Sequence, residues 1–378
     1  MRKRERHKMA YSARRVIYRP KFVDHCILKI QVRTESNLNV SEEKGLAYIQ
    51  PCAAEIGKVM LESNITKLLR TTHREIIDFN VLCDILNTYK IRFSEMQCSL
   101  TLGVGRVKWR GKTISIFKKG KTKIREALNR EDAMKMLQDF LRLIWGSLIC
   151  EECGQPAIYC AAGMCNKCLE ENAQRELVDL EELPTGVILF NALINLSKPL
   201  SLLSETFSNI LDGLRGEKIS GVRVKDFERM LNRVNLLALD FMVQTPNIEQ
   251  ASLGFIPLGI TLNLKTVFRT VDDLIKEINK NSNLLMQVDA KIKNNILEIF
   301  HKIGNLYESI SQIASMKSDV QHDVKKVRGI LENIRRIREE VENTPSELNK
   351  RLFKLFEDAD KIYLAGLRIL NIFSVGGV

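Results

Sequence analysis

From position 150 to position 168 the chain reads CEECGQPAIYCAAGMCNKC. Two Cys-x-x-Cys pairs, Cys150/Cys153 and Cys165/Cys168, are separated by eleven residues. Such a pair brings two thiolates to one side of a tight turn, and Gly154 follows the first pair where that turn needs a residue without a side chain. Four thiolates make a closed tetrahedral site with no open position for water or substrate, which is the structural use of zinc. A segment this short cannot bury a core of its own, so the bound Zn2+ supplies its folding energy. Cys160 adds a fifth thiol between the pairs, and it keeps an iron–sulfur cluster as the rival to zinc. No histidine lies in the segment, which excludes a two-cysteine, two-histidine finger.

The other four cysteines, Cys26, Cys52, Cys83 and Cys98, are scattered along a chain of 378 residues. The first fifteen residues are charged and no apolar stretch follows them, so a secretory signal is not expected. A cytoplasmic, reducing setting follows, in which disulfides are disfavoured and clustered cysteines read as metal ligands. No uncharged apolar run reaches the length of a spanning helix. Residues 187–203 and 253–268 come nearest and read as buried or amphipathic helices, so no transmembrane segment is expected. A chain of this length predicts two or three domains. Its formal charge of +12 favours a polyanionic partner or an anionic surface.

The expected fold is an α+β N-terminal module with an antiparallel sheet packed on helices, a small zinc knuckle, and an all-α C-terminal half with coiled-coil-like helices. Residues 1–22 form a basic arm, with nine cations against one acid. Residues 23–147 form the α+β module, in which 25–34 alternates like a strand and helical patterns run over 53–61 and 66–86. The metal knuckle takes 148–170, and an acidic linker takes 171–184, up to Pro184. Residues 185–260 are a helical domain, 261–343 a long helix or coiled-coil hairpin, and 344–378 a C-terminal helix. In the penultimate segment Val267, Val271, Leu274 and Ile278 step by four, three and four, as do Ile303, Leu306, Ile310 and Ile313. Val320, Val324, Val327, Leu331, Ile334 and Val341 continue that seam.

The most readable β-region lies inside the module. Arg106-Val107-Lys108-Trp109-Arg110 alternates basic and apolar side chains, Gly111-Lys112 turns, and residues 113–117 make a second strand. Lys118-Lys119-Gly120 turns again, and residues 121–125 make a third. With a period of two, Arg106, Lys108 and Arg110 share one face of their strand, and Lys121, Lys123 and Arg125 share one face of theirs. From position 104 to position 130 there are ten basic residues and one acid, Glu126. Asn129 can cap the next helix with Asp132 at its third position. Ala133, Leu137, Phe140 and Ile144 then form one apolar stripe facing the sheet.

Ile116-Phe117-Lys118-Lys119-Gly120-Lys121, followed by Ala127 and Glu131-Asp132-Ala133, resembles a half-repeat of the TATA-binding protein family. That family runs strand, Phe-x-x-Gly-Lys turn, strand, alanine and acidic helix start. The resemblance covers about residues 25–147, in one unit where the family has two. It implies a sheet that binds the DNA minor groove, with Phe117 as an apolar wedge and Lys121 as the turn lysine. Glu126 stands where the family has glycine.

Enzyme chemistry is not expected. His7, His25, His73, His301 and His322 are dispersed, and Gly103-Val104-Gly105 is a lone fragment of a dinucleotide fingerprint. The function read from the sequence is a non-enzymatic nucleic-acid-binding or transcription-associated protein. Its contacts to DNA or RNA would be Arg106, Lys108, Arg110, Phe117, Lys121, Lys123 and Arg125. The alternatives are a coiled-coil scaffold that binds protein or self-associates through the C-terminal helices, and a membrane-surface protein using the arm and the apolar residues 363–373. An open basic sheet face favours the first reading, and a covered one favours the scaffold.

Overall fold

A computed structural model describes residues 16–20, 46–49, 58–68, 75–150, 153–161, 175–180, 182–214, 224–280 and 290–314. Towards the C-terminus it describes 325–326, 329–337, 339, 352–360 and 362. The expected strand over 25–34, the arm up to residue 15 and the apolar segment 363–373 lie outside these residues.

Strands β1 (Val16–Pro20), β2 (Leu46–Ile49) and β3 (Val59–Asn64) precede helix α1 (Phe79–Thr88). A meander of β4 (Glu95–Ser99), β5 (Val104–Trp109), β6 (Lys112–Phe117) and β7 (Lys121–Ala127) follows, then α2 (Arg130–Ile144). The short α3 (Ala157–Ala161) and strand β8 (Arg175–Asp179) lead into the helical part. Its helices are α4 (Gly186–Asn195), α5 (Ser197–Leu214), α6 (Val224–Gln244), α7 (Phe255–Lys280) and α8 (Ala290–Ala314). Residues 329–337 and 352–360 are also helical.

Six strands form one antiparallel sheet in the order β2-β3-β7-β6-β5-β4. The period-two pattern sets its two faces. Leu61, Val107, Trp109, Ile114, Ile116 and Ile124 point inward and are buried, while the residues between them face outward. The helices close the inward face. Asp78 caps α1 by accepting hydrogen bonds from the amides of Asn80 (2.9 Å) and Val81 (3.0 Å). Asn129 caps α2 by accepting from the amide of Asp132 (2.8 Å), and Asp132 accepts in return from the amide of Leu128 (2.9 Å). The stripe Ala133, Leu137, Phe140 and Ile144 is buried against the sheet as its spacing predicts.

Three local expectations are corrected. Residues 59–61 belong to β3 rather than a helix. Their helix-forming side chains are overridden because the segment pairs with both β2 and β7. The expected helix over 66–86 is one turn at Ile65–Leu68 and then α1, which starts only at Phe79, with Ile77 bridging to Leu148 between them. The first hairpin turns at Arg110-Gly111, not Gly111-Lys112. Both turn residues have positive φ, 51° and 75°, and Trp109 pairs with Lys112 across the turn. Two central residues with positive φ are what the twist of a tight hairpin demands.

Val16–Pro20 of the expected arm and Arg175–Asp179 of the expected linker pair as a separate two-stranded antiparallel ribbon. The sheet module and the helical part share one continuous apolar core across the expected boundary at Pro184. Trp145, directly after α2, packs edge-on against Phe255 at the start of α7, centroids 5.1 Å apart. Asp240 of α6 accepts a hydrogen bond from the Tyr89 hydroxyl (2.9 Å) and pairs with Arg92 (2.5 Å).

The C-terminal part is mostly helical. α7 and α8 pack along each other, and the heptad-like residues Val267, Val271, Leu274, Ile303, Leu306 and Ile310 are buried within this one chain. Ile334 is buried as well, whereas Ile313, Val320, Val324, Val327 and Val341 lie where no side chain is described. With Lys198 and Glu205 inside it, Gly186–Leu211 is long and apolar enough to cross a membrane by length and composition. Half of its most apolar window is buried, including Leu189, Leu193, Leu196, Leu200 and Leu203.

Candidate metal centre and basic sheet face

The metal centre is built on the end of the sheet module. Leu148 bridges to Ile77 and Ile149 bridges to Pro156, so the chain leaves and returns in a narrow loop. The amide of Cys150 donates to the carbonyl of Gln155 (2.9 Å), and the amide of Gly154 donates to that of Cys150 (2.9 Å). Gly154 has φ of 68°, a left-handed conformation that a side chain would strain. This turn carries Cys153 round to the side of Cys150. Pro156 then opens α3, and the amide of Cys160 reaches back to the Pro156 carbonyl (3.4 Å).

The Sγ atoms of Cys150, Cys153 and Cys160 lie within 4.8 Å of one another, and those of Cys153 and Cys160 are 3.3 Å apart. Cys150 and Cys160 are buried and Cys153 is half-buried. Thiolates bound to one zinc at about 2.3 Å stand about 3.8 Å apart in a tetrahedron. The three sulfurs therefore fit one soft metal ion. Cys165 and Cys168, expected as the second pair, lie outside the described residues. Cys160, read only as a spare thiol, faces the first pair. The signal that could have found it is Pro156, which starts a helix four residues before Cys160 and aims that residue's side chain back toward the loop.

Cys83 and Cys98 form a disulfide joining α1 to β4, with Cα atoms 5.6 Å apart. This corrects the expectation that disulfides are disfavoured. The two cysteines are fifteen positions apart in sequence, and the packing of α1 under the sheet edge brings them together. Cys83 and Cys98 are therefore not among the free thiols.

On the sheet's outward face Arg106, Lys121 and Arg125 are exposed, and Lys108, Lys123 and Phe117 are half-buried. The face is open to solvent. β6 separates the cations of β5 from those of β7, since Arg106 pairs with Ser115 and Ser115 with Lys123. The two rows thus stand about 9.5 Å apart, two strand spacings, rather than as neighbours. Carboxylates answer part of the charge. Glu62 holds Lys121 (2.5 Å) and Lys123 (3.2 Å), and Glu95 approaches Lys108 (3.7 Å). The hydrogen bond from Lys121 holds the Glu62 carboxyl below its usual pKa; desolvation opposes this, and Lys123 adds to it. Arg106 and Arg125 have no ion pair among the described residues.

One expected contact residue is not on this face. Arg110 sits in the turn, where its guanidinium pairs with the buried Asp139 of α2 (2.5 Å) and lies 4.7 Å from the Trp109 ring. The positive φ swings it out of the strand's alternation and over to the helix side. Trp109 is buried on that side as well and packs edge-on against Tyr89 and Phe93.

No family model, no curated protein and no solved structure matches the chain. The class that fold and site define is an antiparallel sheet packed on helices, a buried three-cysteine group able to hold a metal ion, and a mostly helical C-terminal part.

Proposed function

We propose that this protein is a non-enzymatic nucleic-acid-binding protein whose open sheet face contacts the phosphate backbone, and whose fold is completed by zinc. The observation that carries the reading is the outward face of β5 and β7. Five cations stand there against three carboxylates, Glu62, Glu95 and Glu126, and no described helix covers them. Phosphate contacts of this kind position a polynucleotide without reading its sequence. Half-buried Phe117 is the aromatic on that face that can touch a base.

Zinc is held by Cys150, Cys153 and Cys160, with a fourth thiolate from the segment containing Cys165 and Cys168. An all-thiolate set suits Zn2+ or an iron–sulfur cluster. The closeness of three thiolates around a buried point favours the single ion. Bound there, zinc supplies structural cross-linking. The chain's own part is to hold the loop through the bridge between Ile149 and Pro156. The scaffold reading loses its main support, because the seam residues described are spent inside one chain.

The test is the salt dependence of binding to a random-sequence duplex. Replacing Arg106 and Arg125 with glutamine should weaken binding to all sequences and flatten the slope of log K against log salt by about two. Unchanged slope and affinity, or no binding by the parent at low salt, overturns the reading. Elemental analysis should find zinc near one equivalent per chain in a colourless protein, and Cys160→Ser should lower that content.

A further inference from the structure

β4 (Glu95–Ser99) ends the sheet. Its inner side pairs with β5, and among the described residues its outer side has no strand. Exposed edges are usually blunted by lysine, proline or a bulge. This one has none of them: it reads Glu-Met-Gln-Cys-Ser and keeps an unbroken register with β5 over its whole length. The segments flanking it carry three exposed large apolar side chains, Ile91 (76% exposed) before the strand and Leu100 (55%) and Leu102 (77%) after it.

We propose that β4 is a self-pairing edge, joining antiparallel to β4 of a second copy of this chain with Gln97 at the two-fold axis. The strand's own order argues for a copy of itself. Centring on Gln97 sets Glu95 opposite Ser99 of the second copy, Met96 opposite Cys98, and Gln97 opposite its own equivalent. No like charges then face each other, and the two Gln97 amides can hydrogen-bond across the axis. The same register brings the Leu100–Leu102 turn of each copy beside the Ile91–Phe93 stretch of the other, so the exposed apolar groups cover one another. A centre at Glu95 opposes two carboxylates. The edge is also held in place: Cys98 is tied to Cys83 on α1, which anchors the strand to the helix beneath it.

Glu95, Gln97 and Ser99 share the outward face with Arg106 and Lys108. Pairing therefore joins two basic faces into one, a consequence that rests on the nucleic-acid reading, whereas the pairing itself does not.

The experiment uses the full chain without nucleic acid. Light scattering on a sizing column should give a dimer, and Gln97→Lys, which sets two cations face to face, should return a monomer with an unchanged circular-dichroism spectrum. Mild oxidation of Gln97→Cys should trap a covalent dimer beyond any formed by the parent. Glu95→Cys alone should not, because in this register the two introduced thiols stand about 13 Å apart, four residues along the strand. Glu95→Cys combined with Ser99→Cys should restore the crosslink. A monomeric parent at the highest soluble concentration overturns the proposal, as does a dimer that survives Gln97→Lys or crosslinks equally through Glu95→Cys. Failure here leaves the salt-dependence test untouched, so the two proposals fall separately.

Discussion

The meander β4–β7 and the helix pair α7/α8 both follow a simple apolar period, but the period determines different amounts of structure in the two. In the sheet, alternation names the buried side chains and the short turns between strands name the partners. Ile114 faces inward and pairs with Val107 and Ile124, its neighbours one hairpin away on either side. In the helix pair, the heptad-like steps name the buried residues but are silent on what covers them. Val267, Val271 and Leu274 suit a dimeric coiled coil equally well; their cover here comes from α8 and the rest of the same chain. Local pairing carries its own address, whereas a helical stripe accepts any complementary stripe.

The sharpest way to test that contrast is to open the helical seam. Leu274→Ala removes a buried side chain and should cost about 3–4 kcal/mol. The loss should appear equally at every protein concentration in denaturant titrations. A midpoint that rises with concentration would restore the intermolecular coiled coil. Next comes the junction between the two regions. Asp240→Ala leaves the buried Tyr89 hydroxyl and the half-exposed Arg92 without their acceptor, for a loss of about 2–3 kcal/mol. Because the core is continuous, both regions should then melt earlier and together; a shift confined to the sheet, followed by tryptophan fluorescence, would separate them.

Within the sheet module the effects are smaller. Asn129→Ala removes the α2 cap and should cost about 1 kcal/mol in thermal melts. Glu126→Gly should have the opposite sign. Glu126 sits at φ 68° in β7, beside the register shift between β3 and β7. Relief of that conformation is worth about 1 kcal/mol, less what is lost with the hydrogen bond from Thr113 (3.0 Å). The smallest expected effect is a pH dependence. The folded pKa of Glu62 is depressed, so its contribution is fully present above the unfolded value of about 4.3. It is lost as pH falls through the folded value. Glu62→Gln should flatten the acid limb of the stability curve by lowering stability slightly at neutral pH, where the lysine pairs are formed, and leaving it unchanged at low pH, where Glu62 is already protonated.

The candidate site was legible to differing depths. Cys150 and Cys153 stand out because two residues between thiols are enough for a turn, and Gly154 marks that turn. Cys160 is seven residues beyond Cys153, a spacing that means nothing until α3 folds it back. Arg106, Lys108, Lys121, Lys123 and Arg125 lie on the face their alternation names. Arg110 does not, because a single residue's shift in the turn moves it out of the strand and sends its charge to Asp139. The pairing of Lys121 and Lys123 with Glu62 was hidden as well, since Glu62 directly follows a segment that reads as helix and its place in a strand shows only beside β7.

By itself the sequence determined the properties that depend on near neighbours. These are the strand alternation, the Asn129 cap, the apolar stripe of α2, the tight cysteine turn and the presence of a helical C-terminal part. Each rests on interactions spanning a few residues, where backbone geometry leaves few choices. Only the tertiary structure decided the rest: β3 as a strand, the disulfide between Cys83 and Cys98, the approach of Cys160, and the closing of the helical seam within one chain. Those outcomes depend on which distant surfaces meet, and contact energies between distant segments outweigh the tenths of a kcal/mol by which local preferences differ.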